Sequence, residues 1–176
     1  MKKLIAIAIV ALMALTMLVA CGGSGAGSAA ACAEEAVRVS KEFDIDGMME
    51  LVPDYLIEDM GTGFGLDEGC TRSEVAKAYK EFVEALKALA GDAYKAADIQ
   101  DVKSEVIKEL NKGDEGFDAM VEEYVAGLSD TAVSKFVKDK LASIASVKVS
   151  ATVDGEPSEE TMTCVKYDGK WYVGTN

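Results

Sequence analysis

Histidine is absent from all 176 residues. That excludes Ser-His-Asp and Cys-His pairs, an imidazole general base and zinc held by histidine. Basic charge is also scarce: 18 Lys and Arg stand against 31 Asp and Glu, a net charge of −13. Phosphate backbones need clustered cations, so nucleic acid is excluded as a partner, and acidic lipid headgroups would repel such a surface. The longest apolar run, Leu4–Ala20, is broken only by Thr16. As a helix it reaches about 25 Å, short of the roughly 30 Å hydrocarbon core of a bilayer.

What is present at the start is an address. Lys2 and Lys3 precede the apolar run, the charge order and length of a signal peptide over residues 1–20. The run ends in Leu18-Val19-Ala20-Cys21, and Gly22-Gly23-Ser24-Gly25-Ala26-Gly27-Ser28 follows. This resembles the lipobox of bacterial lipoproteins, with small residues before a cysteine and a flexible tether (21–28) after it. The resemblance implies a diacylglyceryl group on the Cys21 thiol and cleavage before it. Two acyl chains, at about 0.8 kcal/mol per buried methylene, anchor stably where one is marginal. An ordinary secretory signal is the alternative. Without its leader the chain has 156 residues and a net charge of −15, because Lys2 and Lys3 leave with it. That suits one domain, 29–176, with a core of its own.

Ala29, Cys32, Ala36, Val39 and Phe43 recur at helical spacing. Asp44-Ile45-Asp46-Gly47 reads as a turn and cap before a short helix carrying Met48, Leu51 and Val52 and stopping at Pro53. Tyr55-Leu56-Ile57 adds a turn, and Gly61, Gly63, Gly65 and Gly69 predict a loop. Thr71-Arg72-Ser73-Glu74 has the pattern of a capping box. The helix it opens carries Val75, Tyr79, Phe82, Val83, Leu86 and Leu89 on one face and stops at Gly91. Asp101–Leu110 fits a helix and a strand equally by spacing.

Phe117, Met120, Val121, Tyr124 and Leu128 mark a further helix. Another opens at Ser129-Asp130, with Val133, Phe136, Val137 and Leu141 inward. The period then changes to two at Val147, Val149, Ala151 and Val153, and Asp154-Gly155-Glu156-Pro157 is a turn cluster. Asp168-Gly169 between Thr161–Tyr167 and Lys170–Val173 is a two-residue hairpin signal. It pairs Tyr167 with Lys170, Lys166 with Trp171 and Cys164 with Val173. One face then carries Met162, Cys164, Trp171 and Val173, which should meet the helices. The other carries Thr163, Val165, Tyr167, Lys170 and Tyr172. Helices first and a meander last make an α+β domain.

The ending Tyr167-Asp168-Gly169-Lys170-Trp171-Tyr172-Val173 is similar to that of cystatin-like or nuclear transport factor 2-like domains of Gram-positive lipoproteins. Ala33-Glu34-Glu35-Ala36-Val37 and the stretch from Phe43 to Pro53 resemble their N-terminal pattern. Many of those families have no assigned function. The resemblance implies a bent antiparallel sheet with helices in its concavity, and it favours Asp101–Leu110 as the first strand. Two helices between that strand and the meander are more than the family usually carries. Its enzymes place Asp, His or Tyr inside the cone, and no such motif transfers to this chain.

Candidate chemistry is sparse. With Cys21 lipidated, Cys32, Cys70 and Cys164 remain. They read as small buried hydrophobes plus a loop thiol, or as a Cys70–Cys164 bridge of the kind an oxidising compartment permits. Asp44-Ile45-Asp46-Gly47 fails as a calcium loop, since Pro53 falls where the bidentate Glu belongs. Gly61–Gly69 lacks the Gly-Lys-Ser/Thr ending of a phosphate loop and reads as a connector or a pocket rim. Tyr167, Lys170 and Tyr172 form an aromatic-and-cation set suited to a peptide or a sugar, although cross-strand tyrosines also simply stabilise sheets. Glu34-Glu35, Glu122-Glu123 and Glu159-Glu160 are adjacent pairs that point apart. No catalytic residue, metal site or cofactor is expected.

The leading expectation is a lipid-anchored binding or accessory domain at the outer face of a bacterial membrane, serving an envelope protein or a small ligand. The alternatives are a small cone-fold enzyme using buried Asp, Glu or Tyr, and a structural spacer. A pocket above about 300 Å³ holding a perturbed carboxyl would favour the enzyme.

Overall fold

A computed structural model describes residues 27–90 and 97–174. The leader, Cys21, most of the tether and the predicted stop at Gly91 lie outside the described residues. Helix α1 is Ala29–Glu42, and the Ser28 hydroxyl caps it by accepting from the Ala31 N–H at 3.2 Å. It ends at Phe43, held left-handed at φ 52°, while the Asp44 N–H returns to Val39 O at 2.9 Å. Glycine is the usual residue there. Asp44 in turn caps α2 (Ile45–Glu50), accepting from the Gly47 N–H at 2.9 Å.

Helix α3, Asp54–Gly63, is longer than the single turn expected. Gly61 and Gly63 therefore lie within a helix rather than in a loop. The reason is packing: a Cβ on Gly61 would stand 2.1 Å from Cys70 Sγ, so the helix can approach the start of the next one only without a side chain there. That next helix, α4 (Arg72–Ala90), opens on the predicted capping box. The Thr71 N–H donates to Glu74 Oε2 at 2.7 Å, and the Glu74 N–H donates to Thr71 Oγ1 at 3.3 Å. Only the first half of its apolar face is covered. Val75, Tyr79 and Val83 are buried, whereas Leu89 is 89% exposed.

The ambiguous segment is a strand, β1 (Ile99–Asn111), with register shifts after Gln100 and Val106. Two helices follow, α5 (Phe117–Ala126) and α6 (Asp130–Lys135). The second is half as long as its periodicity implied. Phe136 leaves it in an extended conformation to place its ring among three tyrosines, and a short 3-10 turn, Lys138–Lys140, leads into the sheet. Val133 and Val137, expected inward, are exposed, while Leu141 is fully buried as the first residue of β2.

Strands β2 (Leu141–Val153), β3 (Glu156–Tyr167) and β4 (Lys170–Val173) complete an antiparallel meander in the order β1-β2-β3-β4. Both hairpin turns, Asp154-Gly155 and Asp168-Gly169, have positive φ at both residues, the type I′ requirement. Pro157 lies in β3 opposite Thr152, and β4 pairs only from Cys164 onward. Its missing N–H therefore falls on a free edge. The predicted register at Tyr167–Lys170, Lys166–Trp171 and Cys164–Val173 is the observed one.

Helix α1 lies across all four strands. The face carrying Met162, Cys164, Trp171 and Val173 is buried, with Cys164 Sγ 3.6 Å from Ala29 O of α1. The opposite face departs from the expectation of a solvent side. Val165 and Tyr167 are also buried, because α5 packs on β2 and Tyr55 of α3 reaches Tyr167. The domain is α+β, with a four-stranded antiparallel sheet covered on both faces at its β4 end.

Candidate functional site

On that second face, α3 supplies Tyr55, α5 supplies Tyr124, the segment after α6 supplies Phe136 and β3 supplies Tyr167. Tyr55 and Tyr167 meet edge to face with ring centroids 4.9 Å apart, and Phe136 stands 5.2 Å from Tyr55 and 5.7 Å from Tyr167. The hydroxyls of Tyr55 and Tyr124 share a hydrogen bond of 2.6 Å. The Tyr167 hydroxyl accepts from the Val137 N–H at 3.0 Å. Burial, reinforced by the Tyr124 phenol, pushes the Tyr55 phenol far above its ordinary value. Its role is to hold Tyr124 through the shared hydrogen bond and to pack its ring against Phe136 and Tyr167.

The aromatic cluster ends at an open cleft of about 280 Å³ between α5 and the sheet. Its walls are Met120, Glu123, Tyr124 and Gly127 of α5 and its cap, and its floor is Ile144, Ser146 and Thr163. Ser146 and Thr163 are cross-strand partners, so two hydroxyl residues lie side by side on the floor. The Tyr124 ring is pinned. Its hydroxyl meets Tyr55, and a Cβ on Gly174 would stand only 2.6 Å from its Cε2. Glu123 is exposed at the mouth. A second cavity, between α1 and the far end of the sheet, is about 40 Å³, room for a few waters.

The buried carboxylate is elsewhere. Glu58 of α3 is 7% exposed; its Oε1 accepts from the Gly69 N–H at 2.7 Å and its Oε2 faces the Lys135 ammonium of α6. It fastens the glycine-rich connector to two helices. Of the residues singled out by sequence, Tyr167, Lys170 and Tyr172 do not form an exposed set. Tyr167 belongs to the aromatic cluster, Tyr172 is half-buried near Asp54 and Arg72, and Lys170 alone is exposed. Burial, with Asp54 next in effect, raises the Tyr172 phenol.

The Cys70–Cys164 bridge is not formed either. Cys164 is closed beneath α1, whereas Cys70 sits against Gly61 of α3, and both are thiols. Gly61–Gly69 does not rim the cleft, whose lining comes from α5 and the sheet.

Sequence reasoning placed Met120 in a core and Glu123 on a solvated face, and missed the cleft between them. Ser146 and Thr163 carry a trace of it that has meaning only once that sheet face is known to be covered. Their polarity falls on the same sheet face as Ile144 and Val165, where a covered strand would carry apolar side chains. No described helix is long and apolar enough to cross a membrane. No protein family, curated protein or solved structure matches this chain.

Proposed function

We propose that the chain is a lipid-anchored accessory or binding domain at the outer face of a bacterial cytoplasmic membrane, held through Cys21 and a Gly/Ser tether. One observation carries the choice of binding over catalysis: the interior beside the sheet is filled by Tyr55, Tyr124, Phe136 and Tyr167. The buried acid, Glu58, is held by Lys135 and Gly69 instead of facing a cavity. Acid–base chemistry needs a titratable group at a substrate, near its working pH. Here the phenol of Tyr55 is far above such a value, and Glu123, the one acid among the residues lining the cleft, is exposed.

The cystatin-like or nuclear transport factor 2-like cone is the finer reading of the α+β fold. A helix laid across a four-stranded antiparallel meander supports it. The two register shifts of β1 do so too, because bulges bend a sheet. The departure is α5 and α6, inserted between β1 and β2 so that they cover the second face.

Metabolic labelling with a fatty-acid analogue tests the anchor. The wild type takes up label and Cys21→Ala does not; label that survives the substitution overturns the proposal. Crosslinking in native membranes then asks whether the body contacts an envelope partner.

A further inference from the structure

Resting on the reading of this chain as a binding domain, we infer that the cleft between α5 and the β2–β3 hairpin binds a small organic monocation, an amine of about ten heavy atoms. The lining sorts the chemistry. Glu123 is the sole charged side chain among the lining residues, and neither Lys nor Arg is present to receive an anion. Among the described residues Glu123 has no ion-pair partner, whereas Asp118 on the same helix is neutralised by Lys138 at 3.0 Å. Of the three carboxylates on this helix, Asp118, Glu122 and Glu123, only Glu123 lines the cleft, and it leaves a place there for a cation from outside.

The wall beside it suits the same class. The Tyr124 ring lines the cleft and is immobilised by its bond to Tyr55 and by its contact at Gly174. An aromatic face fixed in advance attracts an ammonium without an ordering cost on binding. Met120 and Ile144 offer an apolar seat for the body of the ligand, and Ser146 and Thr163 add hydroxyls along the floor. The cleft's volume of about 280 Å³ accommodates one ring and a short chain. The excess of acidic residues over the whole molecule concentrates small cations near such a mouth.

The test uses the full-length chain in a nonionic detergent and three matched probes: 2-phenylethylamine, 2-phenylethanol and 3-phenylpropanoate, titrated calorimetrically at low salt. The amine should bind about 5- to 10-fold more tightly than the alcohol, the gain expected of one partly screened charge contact beside an aromatic ring. The carboxylate should bind more weakly than either. Glu123→Gln, an exposed and isosteric change, should remove most of the amine's advantage over the alcohol, the remainder being the attraction of the Tyr124 ring. Gly127→Leu should occlude the cleft to all three probes, and Ser146→Leu does the same from the floor should the first variant fold poorly.

Equal affinity for amine and alcohol, or an amine unaffected by Glu123→Gln, overturns the assignment of a cation. Binding that survives a folded occluding variant overturns the location, and no binding of any probe at millimolar concentration overturns the site. These failures leave Cys21 labelling untouched, and loss of that label leaves the titrations untouched.

Discussion

Tyr55 and Tyr124 share one short, buried hydrogen bond, and the two ends of that bond are not equivalent. The Tyr55 hydroxyl, on a side chain 2% exposed, has Tyr124 as its partner. Tyr124 itself lines the open cleft. Tyr124→Phe strands the buried Tyr55 hydroxyl and should cost about 1–3 kcal/mol in chemical denaturation. Tyr55→Phe removes the buried group itself and should cost less. Equal losses would mean that the cleft side is as dry as the core.

A similar asymmetry holds at Glu58, whose carboxylate is buried while Lys135 is 44% exposed. Lys135→Met leaves a charge inside the protein and should destabilise by about 2 kcal/mol, reduced from the fully buried case by solvent at the lysine end. Glu58→Gln in the same background should recover part of that loss, since the amide oxygen still accepts from Gly69. A Lys135→Met variant as stable as the wild type would show that solvent already neutralises the carboxylate.

Among the elements, α4 shows how local chemistry becomes a pH dependence. The Thr71 N–H and hydroxyl hold the Glu74 carboxyl below its ordinary value of 4.5. A lowered carboxyl pKa contributes stability above the unfolded pKa and loses it as pH falls through the folded one. The difference in Tm between the wild type and Glu74→Ala should therefore be present at pH 7 and shrink below about pH 4.5, the ordinary value of the group. Thr71→Ala removes the other half of the box and should cost about 1 kcal/mol at pH 7. A pH-independent Glu74→Ala difference would place its effect in helix propensity instead.

This capping box was legible because both partners lie within four residues. The hairpin at Asp168-Gly169, and with it the register of β4, was legible for the same reason. What escaped the sequence depends on distant neighbours. Gly61 reads as a loop former until Cys70 occupies the space its side chain would need, and Phe136 reads as helical until three tyrosines from other elements draw it into an extended backbone. The cleft is the extreme case. Its walls come from α5 and its floor from β2 and β3, and no local pattern reports that α5 covers the second face of the sheet only as far as Ser146 and Thr163.

Across the whole molecule, the surplus of carboxylates sets how the fold responds to salt. Its ion pairs are mostly exposed contacts at about 3 Å, such as Lys112–Asp139, Lys138–Asp118 and Lys148–Glu159. Each is worth little in water. The remaining acids, on a chain with a net charge of −13, repel one another over longer distances. At 10 mM salt the Debye length is about 30 Å and spans the domain; at 150 mM it is about 8 Å. Added salt therefore weakens the long-range repulsion far more than the contact pairs, and the balance favours the folded state. Tm should rise between 10 and 150 mM NaCl, by about 2–4 °C for each kcal/mol recovered in a chain of this size. Potassium chloride should act as well as sodium chloride at the same ionic strength if screening is the cause. A rise confined to one cation would indicate specific binding, and a falling Tm would show that the surface pairs outweigh the repulsion. A rise common to both salts leaves the acidic surface as a diffuse field, with Glu123 at the cleft the place where that field meets a shaped cavity.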